Sequence, residues 1–175
     1  IRDRVIKKIT TMGKFTATIN SIRKYGNYET KARESVDAFV KVFNSDEFKA
    51  KVIDFKWKGK PQFADNLGLT NEQVYNKILS GSEIANAGND FDADLNLKAY
   101  AKWWPLGSAI GFTDPDDNLI STKWHFIKNS SVKELAGHYA HEYCHCLGFE
   151  HDFEPTEQRP FSVAYAIGDI VTELI

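Results

Sequence analysis

Cysteine is scarce in this chain, which has only Cys144 and Cys146 among its 175 residues. One residue apart and projecting in different directions from a helix, the two do not easily meet disulfide geometry, so a disulfide scaffold is excluded although secretion is not. No apolar run approaches the roughly 20 residues needed to span a bilayer. Charge of one sign is also lacking: the formal net charge is −2 and no long run of like charge occurs. Neither nucleic acid nor a membrane is therefore expected as a partner. Linkers rich in proline, glycine and serine are absent, as are repeats, so a single domain over residues 1–175 is expected. Methionine occurs once, as Met12. The chain starts at Ile1, which leaves open whether a signal peptide or propeptide preceded it. Secretion and membership of a larger assembly both remain open.

Hydrophobic residues make up 42% of the chain and aromatics 13%, enough for a core without covalent help. Phe15, Ala17 and Ile19 alternate within 14–20 and predict a strand. Ala32, Val36, Phe39, Val40 and Phe43 form one helical stripe over about 30–43. Ile53, Phe55 and Trp57 alternate with polar residues and read as a strand ended by Gly59 and Pro61. Thr70 and Gln73 form a capping box for a short helix carrying Val74, Ile78 and Leu79, with Gly81 placed to close it. Ala93, Leu95, Leu97, Ala99, Ala101 and Trp103 give the clearest strand. Further strands are expected at 109–113 and 119–127 around an Asp114–Asp117 turn. A helix from Ser131 to about Leu147 and another from about Val163 complete an α+β chain with a mixed sheet.

The chemistry lies on the first of these two helices. Ser131 and Glu134 cap its start. Val132, Leu135, Ala136, Tyr139, Ala140, Tyr143 and Leu147 share an apolar face, and His141 and His145 project from the other side. Imidazoles four residues apart on one helical face can reach one metal ion, as in the His-Glu-x-x-His arrangement. The pattern runs on to Gly148 and His151. Gly148 tolerates the positive φ of a sharp turn, and the turn lets His151 supply a third ligand. Three imidazoles leave a fourth position for water, the open arrangement of a catalytic zinc site. Glu142, beside the first ligand, is the candidate general base.

From His141 to His151 the sequence reads HExxHxxGxxH, and here it resembles the metzincin clan of zinc peptidases. The resemblance implies a mixed-sheet upper subdomain, about 1–148, an active-site helix beneath the sheet, and a small lower subdomain, about 149–175. Asp152 after the third histidine is similar to the adamalysin pattern. Metzincins also carry a methionine turn beneath the zinc. Ser162-Val163-Ala164-Tyr165 stands where that turn is expected, so Ala164 takes the methionine's place, with Phe161 or Tyr165 expected to fill the space. The clan's use of a tyrosine implies that the Tyr165 hydroxyl could stabilise a tetrahedral intermediate, although a core aromatic is an equal reading.

Other residues invite functional readings. His138 cannot join His141 and His145 on one ion, because seven residues of helix span about 10.5 Å; it is expected to support a ligand or line the cleft edge. His125, expected on the last strand, reads as a surface histidine. Cys144 and Cys146 are expected to be buried and inert. Asp90, Asp92 and Asp94 lack the glycine and terminal glutamate of a calcium loop. Glu173 would serve as a third ligand only if His151 did not.

The expected function is zinc-dependent hydrolysis of a protein or peptide substrate, which would lie extended along 119–127 with Trp103, Trp104 and Trp124 near the cleft. Two alternatives stand beside it. One is a structural or assembly protein that keeps the zinc, against which the retention of Glu142 argues. The other is a zinc hydrolase of a non-protein amide. Sequence does not fix the oligomeric state.

Overall fold

A computed structural model describes residues 14–101 and 109–175. Met12, Trp103 and Trp104 lie outside the described residues. Four strands form one mixed sheet: β1 (Thr16–Arg23), β2 (Asp92–Tyr100), β3 (Gly111–Asp114) and β4 (Leu119–Lys123). Their order is β1-β2-β4-β3. β1 and β4 run parallel to β2, and β3 returns antiparallel to β4. Among the described residues, six α-helices accompany the sheet: α1 (Glu29–Phe43), α2 (Asp46–Ile53), α3 (Asn71–Ile78), α4 (Trp124–Asn129), α5 (Val132–Cys146) and α6 (Val163–Leu174). The class is therefore α+β, as the alternation and periodicity of the sequence indicate.

Strict alternation in β2 gives the sheet one apolar face. Ala93, Leu95, Leu97 and Ala99 are buried, and the residues between them are only partly covered. Phe15, Phe39, Phe43 and Tyr143 meet beneath that face, with ring centroids 5.3–6.4 Å apart. This aromatic cluster ties α1 to α5. On the other flank, α5 and α6 approach closely through glycines. A Cβ on Gly168 would stand 2.9 Å from the Gly137 carbonyl oxygen and 3.2 Å from His141 Cβ. A Cβ on Gly137 would collide with the Thr172 hydroxyl. Both capping boxes form as expected, at Thr70/Gln73 and Ser131/Glu134.

Two expectations are corrected. The strand predicted through Ile53, Phe55 and Trp57 is instead the end of α2 and a turn. Ser45 accepts from Phe48 N and starts the helix, which buries Phe48 and Val52. Phe55 leaves the helix to stack on Phe63, centroids 4.2 Å apart. Trp57 and Lys60 then close a two-residue turn through Lys58 and Gly59, both at positive φ. A period-2 pattern four or five residues long matched a helix end followed by a hairpin turn.

The strand expected over 119–127 ends at Lys123. Residues 124–129 form α4, which places His125 on a short, exposed helix rather than a strand. Ile127 is buried, and Trp124 packs edge-on against Tyr28. β4 is moreover an interior strand, flanked by β2 and β3. Its ladder bonds are already made, so it offers no edge to an extended peptide. Among the described residues the edge near α5 is β3.

Candidate metal centre

The last two turns of α5 and the reversal after it build the site. Helix α5 ends at Gly148, whose φ is +87°. Gly148 N donates to His145 O at 2.9 Å and Phe149 N donates to Cys144 O at 3.0 Å. Those two bonds close the helix with a left-handed glycine, and the apolar residue that follows, Phe149, is buried. The reversal carries His151 back over the helix end. Ile84 N, from the loop before β2, donates to Cys146 O at 2.8 Å and takes up one of the free terminal carbonyls.

The structure brings His141, His145 and His151 together. One ligating nitrogen from each lies within 4.8 Å of the other two. His141 Nε2 stands 3.3 Å from His145 Nε2 and 3.3 Å from His151 Nε2. Nitrogens bound tetrahedrally at about 2.0–2.1 Å are separated by about 3.3–3.4 Å, so the spacing fits a metal ion at the centre. The outer ring nitrogens settle the tautomers. His145 Nδ1 lies 2.7 Å from Phe149 O, and His151 Nδ1 lies 3.0 Å from Asp152 O. A carbonyl only accepts, so both Nδ1 atoms carry the proton and both Nε2 atoms present lone pairs inward. Two lone pairs aimed at a third imidazole nitrogen are poorly satisfied by protein alone. Burial and the neighbouring imidazoles hold His141 well below its ordinary pKa, and burial with His151 lowers His145, which keeps both neutral and able to ligate.

Glu142 is almost fully buried, at 4% exposure. Its Oε2 accepts a 2.7 Å hydrogen bond from Thr113 Oγ1 on β3. Burial pushes its pKa up to about 7, the Thr113 bond opposing the shift. A cation in the histidine cluster would draw the value back down. Tyr165 lies under the cluster, with its ring 4.6 Å from that of His141 and 4.7 Å from that of His151. Arg159 stacks over the Tyr165 ring at 4.9 Å and donates to its hydroxyl. The floor is therefore Tyr165. Phe161, 39% exposed, faces Phe55, and Ala164 is buried.

His138 stays out of the cluster, as its helical distance requires. Cys144 and Cys146 are free and buried, their thiols pushed up by burial, so neither competes for a metal at neutral pH. Sequence reasoning missed Thr113 and Arg159. Thr113 meets Glu142 across 29 residues of chain, and nothing local announces the contact. Arg159 lies six residues before Tyr165, and a lone basic residue in an irregular stretch carries no signal. No helix among the described residues is long and apolar enough to cross a membrane. No protein-family model, curated protein or solved structure matches the chain.

Proposed function

We propose that this chain is a zinc peptidase domain of metzincin type that hydrolyses a protein or peptide substrate. One observation carries the reading: three imidazole nitrogens converge, two of their separations at tetrahedral spacing, with a buried carboxylate on the residue next to the first of them. His141, His145 and His151 would hold the zinc. Bound there, zinc supplies Lewis acidity toward water and the scissile carbonyl.

The chain's own residues do the rest. Glu142 takes a proton from the attacking water and returns it to the leaving amine. Thr113 holds one carboxylate oxygen, and a remaining lone pair on the other takes the proton. Arg159 donates to the Tyr165 oxygen, so the phenolic proton is free to point at an oxyanion. The substrate lies along the outer edge of β3, where an extended peptide gains main-chain hydrogen bonds. Because Thr113 is on β3, the strand that takes the peptide also holds the base.

The test is cleavage of a mixed peptide library by wild type and Glu142→Ala, each with measured zinc content. Cleavage that a chelator abolishes and that Glu142→Ala lacks is expected. Silence from a wild type carrying one zinc per chain would overturn the peptidase reading in favour of a structural zinc or a non-peptide amide.

A further inference from the structure

Helix α5 carries a third histidine, His138, that lies outside the metal cluster. We propose that His138 is a positioning residue for Glu142: fixed by Thr122 and seated on Gly111, it directs Nδ1–H at one carboxylate oxygen while Thr113 holds the other. The inference rests on the reading of Glu142 as general base.

His138 and Glu142 stand one helical turn apart, with side chains only 7% and 6% exposed. His138 Nδ1 is 3.6 Å from Glu142 Oε1, and Thr113 Oγ1 is 2.7 Å from Oε2. Each oxygen thus has its own partner. The 3.6 Å separation is longer than a settled N–H···O bond, and catalytic hydrogen bonds are often long before substrate arrives. On its far side, His138 Nε2 lies 3.0 Å from Thr122 Oγ1 on β4. A neutral imidazole has one N–H. If Thr122 donates to Nε2, the single proton sits on Nδ1 and faces the carboxylate.

The ring has no room to move. A Cβ on Gly111 would stand 2.6 Å from His138 Cε1 and 2.8 Å from Nε2. Phe126 packs edge-on against the ring at 5.5 Å. One ring nitrogen meets the Thr122 hydroxyl and the other faces the Glu142 carboxylate, so the ring links β4 to the base. General bases lose much of their efficiency when misplaced by as little as about 1 Å, and a carboxylate with one free oxygen can rotate.

Two readouts test the assignment. In the metal-free protein, long-range ¹H–¹⁵N spectra of the imidazoles should show His138 with its proton on Nδ1. A proton on Nε2 would overturn the proposal whatever the activity. In zinc-loaded protein, His138→Phe should lower kcat about 10- to 100-fold, with KM and zinc content unchanged. His138→Asn, whose amide nitrogen sits near the place of Nδ1, should recover part of that loss. A folded, zinc-loaded His138→Phe with wild-type kcat would also overturn the proposal. If wild type cleaves nothing, the peptidase reading fails, and the tautomer alone decides whether the clamp exists.

Discussion

Helix α5 carries two pairs of side chains at the same spacing, His138 with Glu142 and His141 with His145, and their surroundings differ in kind. The first pair faces the sheet. Strands β3 and β4 supply hydroxyls from Thr113 and Thr122, and both side chains are buried. Burial drives the His138 pKa down to about 3 and that of Glu142 up to about 7, disfavouring the charged form of each. The second pair faces the helix end. Its rings are only partly buried, the outer nitrogen of His145 meets the Phe149 carbonyl, and a third histidine arrives from beyond the turn. Four-residue spacing on a helix guarantees that two side chains share a face. What else reaches that face separates them: a hydroxyl and a carboxylate meet the two nitrogens of His138, whereas a carbonyl meets one nitrogen of His145 and leaves the other facing the cluster.

The largest effect is expected at the nitrogen shared by both distances in the cluster. His141→Ala should weaken zinc binding about 1000-fold or more, measured by chelator competition. Its metal-free form should melt no lower than wild type, since it loses an imidazole held well below its ordinary pKa in a crowded site. Any comparable loss of zinc in His138→Phe would erase the distinction between the two pairs.

Next is the seam with α6. Gly168→Ala puts a methyl 2.9 Å from the Gly137 carbonyl and 3.2 Å from His141 Cβ. It should cost about 1–3 kcal/mol of stability by denaturant unfolding and weaken zinc through His141. Wild-type stability would mean that the helices can part freely there. Gly148→Ala is expected to cost about 1–2 kcal/mol, because the residue needs a φ of +87° and the added methyl meets only Ile84, at 3.5 Å. Since this turn returns His151, zinc affinity should fall as well, while the His138 tautomer stays unchanged.

The smallest effect concerns a group remote from both pairs. Glu83, 1% exposed, accepts from Asp94 N at 3.0 Å, and burial raises its pKa to about 7. Below about pH 4.5 the carboxyl is protonated in both folded and unfolded chains, and its contribution to stability is complete. As pH rises toward 7 the unfolded chain ionises first, so that contribution is lost. Glu83→Gln should therefore gain on wild type across this window, by about 1 kcal/mol at neutral pH, in metal-free unfolding. The histidines act in the opposite direction: with His138 and His141 depressed, stability present above pH 6.5 is lost on acidification. A flat profile for wild type on both sides would contradict the burial of both pairs.

Much of this molecule could be read before any coordinates. The alternation of 92–100, the capping boxes at Thr70 and Ser131, the stripe of α1 and the reversal at Gly148 are local signals, and each formed. The failures are local too. Short period-2 patterns at 53–57 and 123–127 gave way to helical structure because Ser45 capped α2 and because Ile127 had a core to enter. The placement of substrate on β4 failed for a topological reason, since strand order is set by pairing among distant segments.

The sequence by itself determined the three-histidine cluster. Helical pitch fixes how His141 and His145 sit, and a glycine at the turn fixes where His151 can go; both are backbone geometry within eleven residues. Only the tertiary structure decided the surroundings of Glu142. Thr113 and Thr122 lie 29 and 16 residues from the groups they touch, Gly111 leaves the space that the His138 ring occupies, and Tyr165 with Arg159 closes the floor. Those contacts depend on how a sheet and two helices pack, and packing is a property of the whole core, not of any motif.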